Sequence, residues 1–114
     1  MAILTIPLIL GTIRIGRRSE HVARLVHAHL IKRPDVESPF VDILKIGFAF
    51  RDEGEQAKVP TFSKLMARAD GYVLVSPEYN HSYPGSLKMV LDTNFAEYAG
   101  KAVGIVGVSA GPWG

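Results

Sequence analysis

The feature that most constrains this chain is the strict alternation of short apolar runs with segments of helical period. Residues 3–10, 40–44, 72–75 and 102–108 are short, nearly continuous stretches of aliphatic and β-branched side chains. Runs of this kind suit strands covered on both faces, as in a parallel sheet. Between them, apolar residues recur at helical spacing: Val22, Leu25, Val26 and Leu30; then Phe62, Leu65, Met66 and Ala69; then Leu87, Val90 and Leu91. Ser19 is placed to cap the first helix and Pro34 to stop it, Asp70-Gly71 ends the second, and Pro84-Gly85 precedes the third. The charged stretch 45–58, with Gly47 and Gly54, reads as a loop. Strand, helix, strand, helix, strand, helix, strand predicts an α/β fold with a parallel sheet and right-handed crossovers.

Composition bounds the alternatives. With 114 residues, 47% hydrophobic and 21% charged, the chain suits one globular domain with a modest core. The net charge of +2 is mildly basic, and the basic residues form no long block, which argues against nucleic-acid or membrane-surface partners. The absence of cysteine excludes disulfides, thiolate catalysis and sulfur-ligated metals, and fits the cytoplasm. The apolar N-terminus has no basic residue before it, is interrupted by Pro7 and stops at Gly11, so it reads as a buried strand rather than a signal or membrane segment. His21, His27, His29 and His81 contain no i, i+4 pair, so no metal is expected, and most should be solvated helix-face residues. Asp92 and Glu97, near a helix end, are assigned surface roles, and no G-x-S-x-G elbow supports a hydrolase.

An open parallel sheet binds ligands beyond the carboxyl ends of its strands, where strand order reverses. Three loops qualify. In the first, Gly11, Thr12, Arg14, Arg17, Arg18 and Ser19 run straight into a helix. Three arginines oppose the positive end of the helix dipole, and an anion would reverse that sign. The loop is either a phosphate cradle or a solvated basic turn; its spacing matches neither G-x-G-x-x-G nor the P-loop. The second, residues 76–85, holds Pro77, Glu78, Tyr79, Asn80, His81 and Tyr83. Its residues are ordinary turn formers, yet two tyrosines and a histidine there can serve a flat heteroaromatic ligand. The third, residues 109–114, has Gly111 and Gly114, which allow close backbone approach, or is a plain strand-to-helix turn.

Taken together, Gly11-Thr12-Ile13-Arg14 through Ser19, Pro77-Glu78-Tyr79-Asn80-His81-Ser82 and Pro84-Gly85-Ser86-Leu87-Lys88 resemble the NAD(P)H-dependent FMN reductase family, whose relatives include azobenzene, chromate and quinone reductases. Residues 101–111 also resemble that family's next strand and glycine-containing loop. The resemblance implies a flavodoxin-like, doubly wound parallel sheet, here truncated after its fourth strand, with that strand left as an open edge. It implies that Gly11, Thr12, Arg14, Ser19 and the amides around Arg17 hold the FMN phosphate. Pro77, Glu78, Tyr79 and Asn80 would pass along the isoalloxazine ring, mainly through backbone groups, and Ser109 and Gly111 would close the site. NADPH or NADH would supply hydride and a small-molecule acceptor would take it, so no catalytic side chain is named. A homodimer or homotetramer is implied as well. The competing reading is a flavodoxin-type electron carrier or an inactive flavin-binding protein, although such carriers dock through an acidic face and this chain is basic.

Overall fold

The computed structural model describes residues 2–111. Its elements follow the predicted order: β1 (Leu4–Thr5), β2 (Leu8–Leu10), α1 (Ser19–Leu30), β3 (Val36–Glu37), β4 (Phe40–Asp42), α2 (Pro60–Arg68), β5 (Gly71–Pro77), α3 (Gly85–Leu91) and β6 (Ala102–Val108). The main sheet is parallel with order β4-β2-β5-β6, the first four positions of the flavodoxin-like arrangement. The strand at 102–108 has the boundaries read from the sequence.

Residues 3–10 are not one strand, and this corrects the expectation. They form β1 and β2, with Ile6 and Pro7 between, and β1 pairs with β3, a short strand that the sequence reading had missed. The register is unchanged across the gap, Leu4 opposite Val36 and Leu8 opposite Phe40. At that offset Pro7 faces Pro39. The bonds from this chain segment continue across the gap, Ile6 N to Glu37 O at 2.8 Å and Leu8 N to Pro39 O at 3.0 Å, while the return bond to Ile6 O is lost because Pro39 has no N–H. The Pro7 backbone points the other way, its carbonyl accepting Val73 N of β5 at 2.9 Å. The stretch 45–58 contains a 3₁₀ turn at Gly54–Ala57.

Helices cover both faces. α1 packs Ala23 against Leu8, Leu10 and Val75, while α2 and α3 bring Phe62, Met66, Leu87 and Val90 onto Ile9, Val41 and Tyr72 on the opposite face. Burial of such side chains stabilises by roughly 1.5–3 kcal/mol each. α2 starts with Pro60 at its first turn, and its carboxyl end is closed from a distance: Lys101 Nζ donates to Met66 O at 2.8 Å and Ala67 O at 2.7 Å, and Tyr72 OH donates to Met66 O at 2.7 Å. Among the histidines, His27 is packed rather than solvated, with Nε2 2.7 Å from Ser38 O and its ring edge-on to Phe40.

β6 is paired only with β5 among the described residues, and its α2/α3 side is bare: Ile105 is 71% exposed, beside exposed Val103. A cavity of about 360 Å³ runs along this face between Tyr72, Leu74, Leu91, Tyr98 and Val103. No helix of the described residues is long and apolar enough to cross a membrane.

Candidate functional site

The carboxyl ends of β2 and β5 are neighbours in the sheet, so the loops that follow them meet. Gly11 makes the meeting possible. Its amide donates to Val75 O at 2.9 Å, and a Cβ at this position would lie 2.8 Å from Leu87 Cδ2 and 3.1 Å from Val75 O. Only glycine lets the chain leave β2 this close to β5 and α3.

Thr12 follows, buried, with its hydroxyl 2.7 Å from the Tyr79 hydroxyl and accepting the Arg14 amide at 3.3 Å. The Arg14 guanidinium lies over the Tyr79 ring, 3.7 Å from its centroid. Arg14, Glu78, Tyr79, Asn80 and His81 line an open cleft of about 520 Å³, within the size range of small-molecule sites. A second cavity, about 170 Å³, lies beside it between Ser76, Pro77, Glu78, His81, Ser82, Tyr83, Ile105 and Gly107.

The three arginines of the first loop do not act alike. Arg17 turns inward, with its side chain 7% exposed, and forms a bidentate pair with Asp42, itself 6% exposed. It also donates to Thr12 O at 2.7 Å and reaches Glu20 at 3.4 Å. Hydrogen bonding to Asp42 holds the Arg17 pKa above its ordinary value, against the opposing effect of burial. The repulsion expected between this arginine and the α1 dipole is therefore met inside the protein, by Asp42 and by Glu20 in the helix's first turn. Asp42 escaped the sequence reading. Its signal was the lone carboxylate in the middle of the apolar run 40–44, which the structure places at the carboxyl end of β4.

Ser19 also differs from expectation. It is the first helical residue rather than the cap; Arg18 holds the cap position, with no side-chain capping bond. Ser19 is 2% exposed and its hydroxyl has no hydrogen-bond partner among the described residues. A buried hydroxyl without a partner costs free energy, and one at the N-terminal turn of a helix is placed where anions bind.

The second loop turns tightly. Tyr79 N donates to Ser82 O at 2.8 Å and Ser82 N to Tyr79 O at 3.1 Å, around Asn80 at φ 54° and His81 at φ 64°. Two consecutive left-handed residues make a type I′ geometry, which asparagine tolerates and histidine adopts only at a cost. The Glu78 amide donates to Val108 O at 2.9 Å. Pro77 has no N–H, and those of Glu78 and Tyr79 are engaged, so among the described residues Asn80 carries the amide of this segment still open to a ligand. Ser109 and Gly111 stand beyond β6, where Ser109 Oγ donates to Gly111 O at 3.0 Å, and they line neither cavity. Pro112, Trp113 and Gly114 of that loop lie outside the described residues.

Comparisons with known proteins give the family and the fold. A family model described as NADPH-dependent FMN reductase matches residues 4–114. The chain is 34% identical to a 2-hydroxy-1,4-benzoquinone reductase from a Burkholderia species, covering 97% of this chain and 63% of that protein. It is 32% identical to an NAD(P)H-dependent FMN reductase from a Nectria species, covering 89% of this chain and 57% of the relative. Its fold is similar to that of an apo NADH:FMN oxidoreductase crystal structure, with a TM-score of 0.78 at 24% identity, covering 96% of this chain and 60% of the other. The chain thus spans about three fifths of the length of the relatives it matches.

Proposed function

This chain belongs to the NADPH-dependent FMN reductase family, and from that premise we propose that it binds FMN across the carboxyl ends of β2 and β5 and passes hydride from NADPH or NADH to a small acceptor. The observation that carries the reading is the buried, unpartnered Ser19 hydroxyl at the start of α1, in the loop that also holds Arg14. A phosphate there would receive that hydroxyl, the free N–H groups of the first helical turn and a guanidinium, with the dipole favouring its charge.

FMN, when bound, supplies the hydride chemistry. The residues of this chain bind and orient. Gly11 and Thr12 set the exit from β2, and Arg14 and Ser19 meet the phosphate. Pro77, Glu78, Tyr79 and Asn80 form the rim along which the flavin ring lies, through the Asn80 amide, carbonyl groups and side-chain faces. Ser109 and Gly111, which line neither cavity, are assigned to the site only by the family resemblance, as the residues that follow β6. No side-chain acid or base is assigned a step.

A quinone is the favoured acceptor class, on the likeness to the benzoquinone reductase. The setting is read as cytoplasmic, and the chain as one FMN-binding domain in a homodimer or homotetramer. The test is titration of the protein with FMN and with riboflavin, followed by NADPH oxidation with a benzoquinone. Preference for FMN and quinone-dependent turnover are expected. Equal affinity for the two flavins would remove the phosphate assignment, and oxidation without flavin would remove the mechanism.

A further inference from the structure

We propose that Asp42 is a positioning residue for the FMN-phosphate loop, holding the Arg17 guanidinium on the Thr12 carbonyl so that Arg17 shapes the loop and Arg14 is left for the phosphate. The inference rests on the phosphate reading given above.

The sheet places the carboxylate where it is needed. The β2–β4 register sets Asp42 opposite Leu10, one residue before the loop begins. From there Asp42 Oδ1 accepts Arg17 Nη1 at 2.8 Å and its own turn's Leu44 N at 3.0 Å, while Oδ2 takes Arg17 Nη2. Arg17 Nη1 also donates to Thr12 O at 2.7 Å. One planar guanidinium thereby joins the first residues of the loop to its last, and both to the end of β4. The Arg17 amide adds a bond to Arg14 O at 3.3 Å, and Gly16 takes φ 73° to close the turn. A loop fixed this way before the ligand arrives loses less entropy on binding.

Charge alone predicts the opposite sign. A carboxylate near a phosphate dianion repels it, so removing Asp42's charge should tighten FMN binding if only electrostatics matter. If Asp42 acts through loop shape, removing it weakens FMN binding although the charge change favours it. Arginine's rigid fork is what lets one side chain serve both acceptors, and lysine cannot reproduce it.

The experiment titrates the 114-residue chain and its Asp42→Asn and Asp42→Glu variants with FMN and with riboflavin, following flavin fluorescence. The expected result is a loss of FMN affinity of about tenfold or more in Asp42→Asn, with riboflavin affinity changed less than about threefold and part of the FMN loss restored in Asp42→Glu. If Asp42→Asn unfolds, Arg17→Lys gives the same reading, since it keeps the charge and loses the fork. FMN affinity unchanged or raised, or equal losses for both flavins, would overturn the inference. A wild-type preference for FMN kept in full by these variants overturns it alone, whereas equal wild-type affinities overturn the phosphate reading and this inference with it.

Discussion

The hydroxyls of Thr12 and Tyr79 share a 2.7 Å hydrogen bond that ties the loop after β2 to the loop after β5. The same tyrosine ring carries the Arg14 guanidinium. Tyr79→Phe removes the hydroxyl and keeps the ring face, so it isolates the bond from the stacking. The bond should contribute about 1 kcal/mol. A double-mutant cycle of Thr12→Val and Tyr79→Phe, measured by urea unfolding, should show coupling of that size, and additive effects would show that the loops are not joined through it.

Ser19→Ala carries opposite signs for stability and for binding. The variant deletes a buried hydroxyl with no partner, so the ligand-free protein should keep its stability or gain up to about 1 kcal/mol. A hydrogen bond to a charged group contributes roughly 1.5–3 kcal/mol, so FMN affinity should fall on the order of tenfold or more while riboflavin is unaffected. Ser63, on α2, also has a buried hydroxyl with no partner, which makes Ser63→Ala the control. It should leave both flavins alone, and thermal melts with flavin titrations of the two variants check the pair.

What was legible in the sequence was what short-range periodicity encodes. The run 102–108 shows as β6 because seven residues without a charge or proline admit little else. The candidate loops could be placed because parallel topology fixes which strand ends face the ligand. The break in the first strand was not legible, since the donor it lacks is the missing amide of Pro39, a residue that only the register brings opposite. Arg17 looked like a free cation for the same reason: Asp42 lies 25 residues away in sequence. Residue type marks Ser19 as a cap, whereas its place one position inside the helix leaves the hydroxyl without a bond among the described residues.

Alkaline pH should unfold the protein through Tyr72 and Tyr98. Their rings pack edge to face at 5.8 Å, Tyr98 OH donates to Leu91 O at 2.9 Å, and Tyr72 OH donates to Met66 O and Glu97 O. Burial pushes both phenols up, Tyr98 more strongly. A folded-state pKa above the unfolded value of about 10 means the neutral form is favoured by folding. That stability is fully present below pH about 10 and is lost as pH rises from there towards the folded-state values. Tyrosinate absorbance for these two should therefore appear together with loss of the circular dichroism signal. Ionisation of all four tyrosines near pH 10 with the fold intact would show that the two phenols are not held neutral by it.

Self-association should run through β6. Its seven residues carry no charge and no proline, Val103 and Ile105 expose an apolar face, and Phe95, 82% exposed, extends that surface. Strands with a long, apolar, unpaired edge template the pairing of further chains, and a lysine on such an edge is the usual remedy. Ile105→Lys places a charge at the centre of the strand, on a side chain already 71% exposed, so the cost to the folded monomer should stay within about 0.5 kcal/mol. Sedimentation velocity over a concentration series should show the parent chain associating and the variant shifted towards monomer by about tenfold or more in dissociation constant. The substitution leaves loop 11–19 untouched, so FMN affinity of the variant separates assembly from cofactor binding. If the variant associates as the parent does, the interface lies elsewhere. If it stays monomeric but loses FMN, the β6 side of the site, where Ile105 and Gly107 line the smaller cavity, contributes to holding the flavin.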